Sequence, residues 1–178
     1  MNANSTDKKY TFPPISSKKY SKMLPDGTAL VLEGGGMRGY YSAGVFESFM
    51  EHGIMFPYIV GVSAGAANAL TYISGQPMRS RQIVENYAGS PKYVSVRNLF
   101  RYGSMFNRDL VFRAIPNKHV FFDFNAFQEC PIRFLTGAMD CETGKAVWFD
   151  KKELTNQLEI TEASCAVPMM APIVHFKG

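Results

Sequence analysis

The chain has 178 residues, of which 46% are hydrophobic, 13% aromatic and 19% charged, with a formal net charge of +4. That length fits one domain and that apolar fraction supplies a buried core, which excludes a largely disordered chain and the collagen, coiled-coil and low-complexity classes. Lys8, Lys9, Lys18, Lys19 and Lys22, set against Asp7 and Asp26, place most of the charge before residue 29, so the rest of the chain is nearly neutral and offers no basic face for nucleic acid.

Residues 1–28 read as a flexible, lysine- and proline-containing lead-in. Pro13-Pro14 and Pro25-Asp26-Gly27 oppose regular structure, and the polar first ten residues hold no apolar signal-peptide core. Its lysines suit a merely solvated tail, with visits to an anionic membrane surface as the alternative. Apolar runs such as residues 29–32 and 55–60 fall far short of the roughly 18–20 residues that cross a bilayer. Cys130, Cys141 and Cys165 are odd in number and lack C-x-x-C spacing, so free thiols and a cytoplasmic location, with peripheral membrane contact, are expected.

From Ala29 the pattern becomes that of a folded domain. Ala29-Leu-Val-Leu-Glu33 is a short apolar strand of the kind buried on both faces, and it runs into Gly34-Gly-Gly-Met-Arg-Gly39. The spacing predicts a helix next, with Tyr41, Val45 and Phe49 beside Ala43, Phe46 and Met50 on its apolar side and Gly53 as its stop. Tyr58-Ile-Val-Gly-Val62 is a second buried strand, followed by Ser63 and a helix of small residues ending near Gly75. This strand–helix–strand–helix order predicts an α/β fold with parallel strands and a right-handed crossover. A helix is expected near residues 80–87. Beyond it, Phe100, Phe106, Phe112, Phe121, Phe122, Phe124 and Phe127 are interleaved with Arg97, Arg101, Arg108 and Arg113, which suits either a cap over an apolar pocket or a second core layer. Residues 132–139 and 145–149, around a turn at 140–144, read as a hairpin, and a last helix near 155–165 leads to Pro168.

Two glycine motifs carry the chemistry. Gly34-x-Gly36-x-x-Gly39 matches the dinucleotide-binding pattern formally, but that fold needs an acidic residue about 20 positions on, and no Asp or Glu occurs between Glu51 and Glu85. What remains is a glycine loop at a helix N-terminus whose amides, with Arg38, suit a phosphate or a developing oxyanion. The second motif, Gly61-x-Ser63-x-Gly65, lies between a strand and a helix, 29 residues after Gly34, as a nucleophile elbow requires. In a parallel sheet the two turns share one edge, so the loop amides can converge on a carbonyl attacked by Ser63.

Glu33-Gly-Gly-Gly-Met-Arg-Gly39 and Gly61-Val-Ser-Ala-Gly65 resemble the patatin-like phospholipases of the bacterial branch, as do Thr136-Gly-Ala-Met-Asp-Cys-Glu-Thr-Gly144 and Ala163-Ser-Cys-Ala-Val-Pro168. The resemblance covers nearly all of residues 29–178. It implies a three-layer α/β sandwich with a mainly parallel central sheet, incomplete at the C-terminus, in which a Ser–Asp dyad hydrolyses lipid acyl esters without a catalytic histidine; no cofactor is expected. Ser63 is carried over as nucleophile and Gly35, Gly36 and Arg38 as the oxyanion-stabilising loop, with Gly34, Gly39, Gly61 and Gly65 as motif glycines.

The dyad aspartate of that family sits in Asp-Gly-Gly or Asp-Gly-Ala, and neither occurs here; the only Asp-Gly pair is Asp26-Gly27. By the resemblance the aspartate belongs shortly after Gly178, so the expectation is a truncated chain, strongly impaired without its base. Two other readings follow from the residues. A histidine-dependent esterase would combine Ser63 with Asp140 or Asp150 and His175, and a module without catalysis would bind a lipid or a partner. His52, His119 and Glu33 have ordinary structural roles as alternatives to catalytic ones, and no metal-ligand spacing is present.

Overall fold

The computed structural model describes residues 22–176. In chain order, strand β1 (Lys22–Met23) and β2 (Ala29–Leu32) precede helix α1 (Gly39–Glu51), β3 (Ile54–Met55), β4 (Tyr58–Val62) and α2 (Ala64–Ile73). Then come α3 (Arg79–Ile83), α4 (Val96–Tyr102), α5 (Phe124–Glu129), β5 (Arg133–Met139), β6 (Ala146–Asp150) and α6 (Glu159–Cys165), with π-helical turns at Val84–Ala88 and Leu110–His119. The main sheet has the order β2-β4-β5-β6; the first three strands are parallel and β6 returns antiparallel as the second arm of the predicted hairpin. The fold is an α/β sandwich with a mainly parallel sheet, as the alternation of apolar strands and amphipathic helices predicts. No helix among the described residues is long and apolar enough to cross a membrane.

Residues 1–21 of the expected lead-in lie outside the described residues. Its end is paired: β1 runs parallel to β3, with the Lys22 amide donating to Gly53 O (3.1 Å) and the Leu24 amide to Met55 O (2.9 Å).

Alternation along the strands puts Leu30, Ile59 and Phe134 side by side in register on one face, and the core gathers there. Ile59 and Phe134 are fully buried against α2, whose Leu70, Tyr72 and Ile73 enter the same cluster. The opposite face differs from the expectation of two-sided burial. Val31, on the edge strand β2, is 72% exposed, since its side chain points away from the helix-covered face. Helix α1 also differs in phase. Its buried positions are Ala43, Phe46 and Met50, while Tyr41 is 83% exposed, because the helix turns its 43/46/50 stripe toward α2 and leaves 41 outside. Phe46 stacks on Tyr72 at 5.2 Å, and the Tyr72 hydroxyl donates to Ile54 O (2.6 Å), joining α1, α2 and β3.

The phenylalanine-rich stretch divides between both expected roles. Phe122 and Phe127 are core residues, Phe106 and Phe112 line a cavity, and Phe100 is exposed.

Helix α2 seats directly on the end of β2 at Gly65, where an added Cβ would lie 2.6 Å from both Leu32 O and Glu33 O. Those are backbone atoms of the sheet and cannot swing aside. Gly65→Ala is expected to destabilise the chain by about 3 kcal/mol, the upper end for overpacking, lowering the melting temperature by roughly 6–12 °C. Gly44→Ala, in the exposed middle of α1 with open space around it, should instead stabilise by about 0.5–1 kcal/mol. Thermal denaturation followed by circular dichroism separates the two.

Candidate active site

The turn between β4 and α2 is the most strained backbone near the sheet edge. Ser63 has φ 53° and ψ −124°, a conformation side chains rarely adopt, and the surrounding contacts hold it there. The Ser63 amide donates to Ser164 Oγ (2.7 Å), and the Ser164 hydroxyl donates in turn to Gly137 O on β5 (2.6 Å). The Ser63 carbonyl accepts from the Ala67 amide (3.0 Å), the first bond of α2. A tight turn here also needs room. A Cβ at Gly61 would lie 2.8 Å from Ala66 Cα, and one at Gly34 would lie 3.1 Å from Ser63 Cβ. Each expected motif glycine therefore clears a named neighbour.

The loop of residues 34–39 faces this turn. Gly36 has φ 53°, open to glycine without strain, and a single 3₁₀ turn, Gly36–Arg38, leads into α1. The Arg38 amide donates to Gly35 O (3.1 Å), whereas the amides of Gly35 and Gly36 donate to no described residue. Gly39 locks the loop to α2: its carbonyl accepts from Asn68 Nδ2 (2.8 Å), and an added Cβ would lie 3.0 Å from both Ala64 Cβ and that nitrogen.

Gly34, Gly35, Gly36, Arg38 and Ser63 all line one cavity of about 530 Å³. Its walls are mostly apolar, with Met37, Phe106, Val111, Phe112 and Val167 among them. Tyr40 and Tyr93 also line it, joined by a hydrogen bond, and burial pushes the Tyr40 hydroxyl up from its ordinary range. The Tyr40 hydroxyl donates to Met37 Sδ (3.2 Å), bracing the loop. Cys165 sits within hydrogen-bonding reach of the Ser63 hydroxyl, and burial pushes its thiol up to about 12. A hydroxyl on a strained turn, unpaired amides and an arginine around one apolar cavity suit chemistry at the carbonyl of an ester with an apolar chain.

The other sequence candidates lie elsewhere. Asp140 is spent in its turn, accepting from the Glu142 amide (2.9 Å) and the Thr143 hydroxyl (2.8 Å), and the Thr143 bond is the main cause of its lowered pKa. Asp150 caps the 3₁₀ turn Lys151–Glu153. His175 is exposed and hydrogen-bonds to neither aspartate nor Ser63 among the described residues. Sequence reasoning missed Ser164 and Cys165 as site residues, because they reach Ser63 across about a hundred positions of chain with no periodic signal. Asn68 left a trace: it is a lone amide in an alanine-rich helix.

The family model of patatin-like phospholipases matches residues 30–178. The uncharacterized protein YjjU of Escherichia coli (strain K12) is 26% identical over 168 residues, covering 87% of this chain and 43% of that protein, so the chain spans less than half the length of this relative. With the match running from the first strand of the main sheet to the end of the sequence, the chain belongs to the patatin-like phospholipase family.

Proposed function

We propose that the chain is the nucleophile-bearing part of a serine acyl hydrolase of lipid esters, of phospholipase A or lysophospholipase type. Ser63 attacks the ester carbonyl, and the amides of Gly35 and Gly36, with Arg38, stabilise the oxyanion. The observation that carries this reading is the strained Ser63 turn opening onto the same apolar cavity as the unpaired loop amides. The oxyanion donors are assigned to the loop because the Gly35 and Gly36 amides line the cavity beside Ser63 and donate to no described residue. Exposed Met37 and Val167 on the cavity wall favour contact with the lipid surface that supplies the substrate.

The base is assigned, on the family pattern, to an aspartate outside these 178 residues. No Asp-Gly-Gly or Asp-Gly-Ala occurs within them, and no carboxylate or imidazole hydrogen-bonds Ser63 among the described residues. General-base assistance is worth about 10²–10⁴-fold, so the chain alone should turn over a short-chain ester slower than an intact lipase by about that factor. Turnover at full lipase rates by the 178-residue chain would overturn the assignment.

Intact-mass labelling with a fluorophosphonate is expected to give one adduct on the wild-type chain and none on Ser63→Ala. A folded wild-type chain that takes no adduct, even when extended past Gly178, would sink the nucleophile assignment. Ser164→Ala removes both hydrogen bonds that steady the turn and should slow labelling about tenfold, while Ser164→Thr, which keeps the hydroxyl, should restore most of the rate. The thiol beside Ser63 is not a competing nucleophile. A thiol titrating near 12 stays protonated below that pH, so iodoacetamide at pH 7–9 should modify exposed Cys141 and leave Cys165 untouched, as read by peptide mapping.

A further inference from the structure

A second cavity adjoins the first. It measures about 300 Å³, and Phe106, Arg108 and Glu162 line both. At their junction the buried Glu162 carboxylate accepts from Arg108 Nε at one oxygen and from Arg113 Nη2 (2.8 Å) at the other. One carboxylate against two guanidiniums leaves the trio with a net positive charge, which the Asp109 carboxylate on the same wall balances. Arg113 spends its other terminal nitrogen on the carbonyls of Phe112 and Gln157. The two terminal nitrogens of Arg108 donate to no described residue.

An orphan hydroxyl lies in the same cavity. Ser104 is 1% exposed and its Oγ has no hydrogen-bond partner, an arrangement that costs free energy unless something fills it. The hydroxyls of Thr136 and Thr161 are also unpartnered, but neither residue lines either of these two cavities, whereas Ser104 is part of this wall. A free guanidinium edge and a buried, unpartnered hydroxyl donor on one wall together match the tetrahedral oxygens of a phosphate, which guanidinium binds through paired, charge-assisted hydrogen bonds.

We propose that this second cavity holds the phosphate of the substrate's polar head, with the Arg108 terminal nitrogens and the Ser104 hydroxyl donating to its oxygens while the acyl chain lies in the larger cavity. Glu162 and Arg113 act as positioning residues, holding the Arg108 fork at the junction. The inference rests on the lipid-ester reading of Ser63, and its test is one of binding rather than turnover.

Ser63→Ala in the 178-residue chain removes any hydrolysis and serves as the background for calorimetric titration. The probes are a lysophosphatidylcholine below its critical micelle concentration, the monoacylglycerol of the same chain length, and inorganic phosphate. The lysophospholipid should bind at least about tenfold more tightly than the monoacylglycerol, and inorganic phosphate should bind more weakly than the lysophospholipid while competing with it. Arg108→Gln should abolish the preference, Arg108→Lys should keep part of it, and Ser104→Ala, which alters no charge, should reduce it about threefold. Equal affinity for the two lipids, or a preference that survives both Arg108→Gln and Ser104→Ala in folded chains, overturns the proposal. Inorganic phosphate binding as tightly as the lysophospholipid would make the cavity a free-anion site and overturn the head-group assignment. If fluorophosphonate fails to label Ser63 in the wild-type chain while the head-group preference holds, the nucleophile reading falls and the cavity assignment stands; the reverse result leaves the nucleophile and removes the cavity.

Discussion

The contact on which the site depends is the close approach of α2 to the carboxyl end of β2. At Gly65 the helix backbone comes so near Leu32 O and Glu33 O that no side chain fits between them. Because β2 and β4 are adjacent parallel strands, this approach draws the turn at Ser63 against the loop that leaves β2. The remaining glycines are consequences of that first one. Gly61 clears the first turn of α2, Gly34 clears Ser63 itself, and Gly39 lets α1 begin against Ala64 and Asn68. Strain at Ser63 is affordable only because packing on several sides over-determines the turn.

Around this steric frame the polar groups are arranged with little redundancy. Ser164 uses its single hydroxyl twice, accepting from the Ser63 amide and donating to Gly137 on β5, so the turn is tied to the sheet's third strand and to α6 together. Asn68 does the equivalent for the opposite loop. Two hydrogen-bonded links from α2 and α6 thus fix nucleophile turn and glycine loop relative to the sheet, while the cavity between them stays apolar. In such surroundings an unshared amide or guanidinium acts more strongly on a developing charge than it would in water.

Much of this was legible in the sequence because it is local. The strand–glycine–helix order, the hairpin at 132–149 and both glycine motifs are written within windows of a few residues, and the steric needs of a tight turn leave few substitutes for glycine. Phase was harder to read. With apolar residues at 41, 43, 45, 46, 49 and 50, helix α1 has two overlapping stripes, and only the position of α2 selects 43/46/50. Burial of both faces of β2 is likewise the expectation from its continuous apolar run, whereas the exposure of Val31 depends on what packs against an edge strand. Ser164, Cys165 and the Arg108–Glu162–Arg113 group meet the site only through tertiary folding, and no spacing rule links them to Ser63 or to one another.

The placement of unpaired loop amides on one side of the Ser63 turn has a stereochemical consequence. A planar ester carbonyl offers two faces, and a nucleophile flanked by donors on both sides would accept either. Here the unpaired amides of Gly35 and Gly36 lie in the loop that faces the turn, so on the proposed reading a carbonyl oxygen is drawn toward residues 34–39. With the oxygen fixed there and the acyl chain committed to the apolar cavity, only one face of the carbonyl remains turned to Ser63. On that reading the handedness of the attack is set by the side of the turn on which the glycine loop lies.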